Sequence, residues 1–175
     1  GLMVSQEKIG DLAQVVAPPY DVISPEFQER LYERHPHNVV RLILARESAG
    51  DTASDNRYTR AAADFLAWTQ NGFLRADPEP SVYLYEQEFT SDAKRLKRRG
   101  FMALCRLDPF GARIRPHERT LPGPKEDRLK LIESCGANLS PVFSLYPDAD
   151  GAVAALLERC FSQRPEAEIV DEEGV

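Results

Sequence analysis

The apolar and polar positions fall into short blocks separated by proline, glycine and small polar residues. Residues 9–16 are apolar, and Ala17-Pro18-Pro19-Tyr20-Asp21 breaks any regular element after them. Ser24 followed by Pro25 reads as an N-cap and a first helical position, because the serine oxygen accepts from a free N–H and proline has none to lose. A helix is expected from Pro25 to about Arg34, with Phe27, Leu31 and Tyr32 as inward candidates. His35-Pro36 ends it, since the residue before proline avoids helical angles. Val39-Val40-Arg41-Leu42-Ile43-Leu44 is β-branched and nearly continuous, which predicts a buried strand.

Residues 46–55 are small and polar and read as a loop. A helix follows from Asn56 to Gln70 with Ala61, Phe65 and Trp68 among its apolar positions, and Asn71-Gly72 supplies a left-handed stop. Strands are expected over 82–89 and 100–107, joined as a hairpin with a long, charged tip. Residues 108–124 are irregular. Pro124 opens a helix to about Cys135, with Leu129 and Ile132 inward and Gly136 as its stop. Residues 141–146 read as a strand and 152–161 as a helix. From Glu166 the tail is acidic and ends either as a strand or as a frayed terminus. The pattern predicts a single α+β domain over 1–175: a mixed sheet that includes an antiparallel hairpin, with about four helices packed on it.

Composition narrows the classes. Apolar residues are 42% of the chain, enough for a core without disulfide or metal staples. No apolar run approaches the ~20 residues a membrane span requires. The start lacks a basic region followed by an apolar stretch, so no secretion signal is read there. Met3 is not first, so Gly1-Leu2 is either a vector remnant or the continuation of an upstream sequence. Three scattered cysteines (Cys105, Cys135 and Cys160) predict reduced thiols and a cytoplasmic setting. A formal charge of −6 argues against a nucleic-acid partner, since phosphate contacts need a basic face. The basic run Lys94-Arg95-Leu96-Lys97-Arg98-Arg99 is read as a solvated turn at the hairpin tip rather than a polyanion contact, having no aromatic residue to stack on bases. The oligomeric state is not legible.

The densest chemistry lies in Pro116-His117-Glu118-Arg119-Thr120-Leu121-Pro122-Gly123-Pro124-Lys125. It offers an imidazole, a carboxylate, a guanidinium and a hydroxyl, followed by Glu126, Asp127 and Arg128 in the next turn. A helix start there would aim free N–H groups and a positive dipole end at an anion. Arg119 would hold two phosphate oxygens and Lys125 neutralise a third, while Glu118 or Asp127 would accept a proton or bind Mg²⁺. The bland alternative is a polar loop before a helix whose acidic first turn suits its own dipole. It is no Walker A motif, because Glu126 follows Lys125. Asp21, held by two prolines, and Arg41, in an apolar strand, are further candidates, each with a structural alternative at a turn or strand end.

Three of these stretches, with one more, point to a family. Ala17-Pro18-Pro19-Tyr20-Asp21-Val22-Ile23-Ser24 and Asn38-Val39-Val40-Arg41-Leu42-Ile43-Leu44 resemble the opening of the bacterial and archaeal "domain of unknown function 1015" proteins. The run from His117 through Leu129 resembles that family's central motif, and Ala137-Asn138-Leu139-Ser140-Pro141-Val142-Phe143-Ser144-Leu145-Tyr146 the segment after it. Members of that family are longer and carry an Asp-Gly-His-His-Arg-type motif in a second half, which likens them to ParB-related nucleotide-using proteins, some regarded as kinases of free serine. The resemblance implies the N-terminal part of such a protein. It also implies a small hydroxylated substrate and a nucleotide, ATP or ADP with Mg²⁺, as its partners. His117, Glu118 and Asp127 then become catalytic candidates. Arg119, Thr120, Lys125, Arg128, Asp21, Asn38, Arg41 and Asn138 become phosphate- or substrate-binding candidates. The alternative is a non-catalytic nucleotide- or nucleic-acid-binding regulatory module.

Overall fold

The computed structural model describes residues 1–109, 111–116 and 121–170. It is α+β, as the pattern predicts, and among the described residues its strands form two antiparallel pairs. Backbone contacts divide the chain into two compact units.

The larger unit takes Leu2–Ala76 and Cys105–Ser140. Strand β1 (Leu2–Val4) pairs with β2 (Leu74–Ala76), and between them run helices α1 (Gln6–Ile9), α2 (Pro25–Arg34), α3 (Val40–Ile43) and α4 (Arg57–Gln70). Helix α5 (Pro122–Cys135) completes the unit. The start signals act as expected. Ser24 Oγ accepts from Phe27 N at 3.2 Å with Pro25 behind it. Asn56 and Thr59 close a reciprocal capping box on α4. Gly136, at φ 61°, ends α5 in the left-handed region that a side chain resists. The core includes Ala45, Ala61 and Leu131, with Tyr58, Cys135 and Leu139 packed on it.

Residues 39–44 correct the sequence reading: they hold the short helix α3 (Val40–Ile43) and its two caps, not a strand. Asn38 is the reason. Its side chain is fully buried, accepts from Val40 N at 3.0 Å, and donates to Gln14 O and Val16 O at 2.9 Å each. These bonds fold the chain back at the point where a strand would run on. Burial of Val40, Leu42 and Ile43 is compatible with either state, so local β-propensity loses to tertiary contact.

The smaller unit takes Gly1, Asp77–Leu104 and the described residues from Pro141. Strands β3 (Tyr83–Ser91) and β4 (Lys94–Met102) form a hairpin closed by Asp92 and Ala93, at φ 49° and 59°. Two consecutive positive φ values make the tight turn whose twist matches the strands. The predicted long tip is thus a two-residue turn, and the basic run lies within β4. Cross-strand charge explains the shift: Arg99 faces Glu86 and Lys97 faces Glu88 in the register. Helix α6 (Ala152–Phe161) lies where expected. The strands predicted at 100–107 and 141–146 are corrected. Pairing stops at Met102, and 141–146 joins no ladder among the described residues, with Phe143 and Leu145 exposed.

Candidate functional site

The most connected polar centre is in the larger unit, where the first turn of α4 meets the first turns of α5. Asn56 caps α4 and so places Arg57 and Tyr58 at its start, where a cation opposes the helix dipole and needs a counter-charge. Asp127 supplies it. Its Oδ1 accepts from Arg57 Nη2 and, at 2.8 Å, from Tyr58 Oη. Its Oδ2 accepts from Arg128 Nη2 and, at 2.8 Å, from Arg128 Nε. Arg57 also pairs with Glu47 at 2.9 Å. Arg128 reaches further, donating to Ile43 O at 2.9 Å and Ser140 Oγ at 3.4 Å, with its guanidinium 3.8 Å above the Tyr20 ring. The Arg57, Asp127 and Arg128 side chains are 24%, 16% and 17% exposed, so solvent screens them weakly.

Burial pushes the Asp127 carboxyl up. The hydrogen bonds from Arg128 and Tyr58 and the charges of Arg128 and Arg57 outweigh it, holding the group below the usual carboxylate range. Asp127 is therefore ionised and fully engaged. It acts as a tie between α4 and α5 rather than as a base awaiting a proton.

Of the residues expected from sequence, Asp127 and Arg128 meet in this centre. Asn138 borders it, its Oδ1 accepting from the N–H of Ser140 at 3.2 Å. The 17–21 motif contributes Tyr20, while Asp21 is exposed beside it. Lys125 is exposed on the first turns of α5. Asn38 and Arg41 are elsewhere. Asn38 holds the backbone as described, and Arg41 stacks 4.2 Å over Tyr32 and donates to Tyr32 O at 2.9 Å. His117, Glu118, Arg119 and Thr120 lie outside the described residues. Arg57, Tyr58 and Glu47 were missed by sequence reasoning. The available signal was an arginine directly after an N-cap, a position that favours carboxylates.

The start of α5 carries fewer donors than a generic helix end. It begins at Pro122, not Pro124, and Leu121 provides no side-chain cap. Of the four positions 121–124 whose N–H groups a helix leaves unpaired, two are prolines. Gly123 sits between them with no atom of the described residues within 4 Å of where a Cβ would stand.

A family model described as protein of unknown function (DUF1015) matches residues 1–175. The chain belongs to this family. No curated protein and no solved structure matches it. Within this DUF1015 chain, the motif residues from Pro122 to Leu129 are thus the start of α5, and Asn138-Leu139-Ser140 is the segment that Arg128 touches.

Mg²⁺ does not fit the Arg57–Asp127–Arg128 centre itself. Mg²⁺ needs open oxygen ligands, and both Asp127 oxygens are taken by guanidinium and phenol donors. Among the described residues no three His, Cys, Asp or Glu side chains are grouped to hold a metal. The void beside Arg57, Tyr58 and Arg128 is about 10 Å³, at most a water's worth. A wider groove of about 410 Å³ lies between α4 and α5 and is mostly apolar. Burial pushes the Cys135 thiol on its wall up, away from a reactive thiolate.

The basic run of β4 is largely neutralised within its own unit. Arg95 pairs with Glu88, Lys97 with Glu86 and Glu88 at 3.0 Å each, and Arg99 with Glu86 and Glu158. Cys105, Cys135 and Cys160 are unpaired. No helix among the described residues is long and apolar enough to cross a membrane.

Proposed function

We propose that this chain supplies the phosphate-handling part of a small-molecule phosphotransferase, with free serine or a similar hydroxyl compound as acceptor and ATP or ADP as donor. The observation that supports it is the Arg57–Asp127–Arg128 centre, which fixes the start of α5 directly after the His117–Thr120 run. In this reading Asp127 and its two arginines position the segment. Glu118 is the base, His117 assists proton movement, and Arg119, Thr120 and Lys125 take the transferring phosphate. No step is assigned to a metal.

The test is transfer of labelled phosphate from ATP or ADP to free serine and a panel of small hydroxyl compounds, using the full-length protein. Transfer is expected, and it should fall at least tenfold in Arg119→Ala. Absence of transfer to every acceptor removes the proposal, and an unchanged rate in Arg119→Ala removes that residue's role. Gly123→Ala sharpens the assay. Alanine suits a helix better than glycine by about 0.5–1 kcal/mol, so the variant should be at least as stable as wild type. A simultaneous loss of donor affinity would show that the ligand approaches this backbone closely.

A further inference from the structure

The turn between α2 and α3 holds two histidines in unlike roles. His35, the C-cap of α2, accepts at its Nδ1 from the backbone N–H of His37 at 3.0 Å. That nitrogen therefore carries no proton, and the bond closes the turn around Pro36. His37 points its ring into an aromatic pocket, with centroids 3.7 Å from Phe73 and 5.3 Å from Trp68. His37 Nδ1 is buried and has no hydrogen-bond partner among the described residues. The two imidazoles are 5.5 Å apart.

The charged groups around His37 come from every element packed on it. His35 is on its own turn, Arg41 on α3 and Asp64 on α4, while Lys8 of α1 lies over the far ring, Phe73, at 5.6 Å. Arg41 Nε is itself buried without a partner among the described residues. Arg41 and Lys8 are cations, and Asp64 is the one carboxylate acting on His37 among the described residues. Burial, then the charges of His35 and Arg41, hold the His37 imidazole below its ordinary value, and only Asp64 pulls the other way.

We propose that the His35-Pro36-His37 turn is an acid-operated latch that is shut when the His37 imidazole is neutral and opens when it takes up a proton from solvent. Protonation of His37 leaves an N–H at its buried Nδ1 with no acceptor among the described residues. A proton on His37 places a cation among aromatic rings and beside Arg41. The turn leads directly into Asn38, whose amide grips Gln14 O and Val16 O. Opening therefore loosens the segment that ends in the prolines before Tyr20. The latch stands apart from the phosphotransfer reading and needs none of it.

Trp68 is the chain's only tryptophan and touches His37, so its fluorescence reports the latch directly. The full chain is titrated from pH 8 to pH 5 with far-UV circular dichroism in parallel. The expected result is a fluorescence transition with a midpoint below about 6.5, the ordinary histidine value, at constant helix content. His37→Gln should abolish it. Asp64→Asn should move the midpoint to lower pH, because it removes the one group that favours the charged ring. This second variant decides the matter should His37→Gln fail to fold. A flat wild-type profile, an unchanged transition in His37→Gln, a midpoint that stays put in Asp64→Asn, or a fluorescence change that tracks loss of helix would each overturn the latch.

Discussion

Two sets of ion pairs use the same residue types and should behave differently. In the larger unit, Arg57 and Arg128 close on Asp127 from neighbouring helices, with all three side chains at least three-quarters buried. In the hairpin, Arg95, Lys97 and Arg99 face Glu86 and Glu88 across a two-stranded ladder open to water. The first set is desolvated, so its members depend on one another and removing one strands the rest. The second set is screened, and each pair sets register more than stability. The contrast teaches that a carboxylate among arginines has meaning only once its solvent is known.

The largest expected effect comes from Asp127→Ala. It leaves the Arg128 guanidinium without its counter-charge and Arg57 with only the exposed Glu47, and should cost on the order of 3 kcal/mol. The check is a lower urea midpoint at unchanged slope. A cost near that of a surface pair would dissolve the distinction between the two sets.

Tyr58→Phe removes one hydrogen bond to Asp127 and keeps both arginines, for a loss of about 1 kcal/mol. Next comes pH. The Asp127 carboxyl is held below its ordinary value in the folded state, so its contribution is present above about pH 4. It is lost as pH falls through the lower folded value. Wild type minus Asp127→Asn, followed by urea unfolding from pH 7 to pH 3, should show that difference shrink only at the acid end. The smallest effect belongs to Glu88→Gln in the hairpin. It should leave the thermal midpoint unmoved at physiological salt and become visible only at low ionic strength.

Local signals carried the helices. Ser24-Pro25, the Asn56 cap and Gly136 each act through neighbours within one turn, so α2, α4 and the end of α5 were legible in the chain. What failed depended on distance. Residues 39–44 read as a strand until Asn38 reaches back to Gln14 and Val16. The apolar 141–146 run has the composition of a strand and no partner in the ladder. The candidate centre divided in the same way. Asp127 and Arg128 stood inside a recognisable motif, but Arg57 meets Asp127 across 70 residues of chain. No window of local sequence contains that meeting.

The proline pair at the start of α5 has a spectroscopic consequence. Because Pro122 and Pro124 have no amide proton, the Gly123 N–H stands isolated between two silent positions. Glycine amides also resonate apart from most others in a nitrogen–proton correlation spectrum. One well-separated peak therefore monitors the mouth of this helix, and its displacement on adding inorganic phosphate, nucleotide or serine ranks these compounds without any assay of turnover.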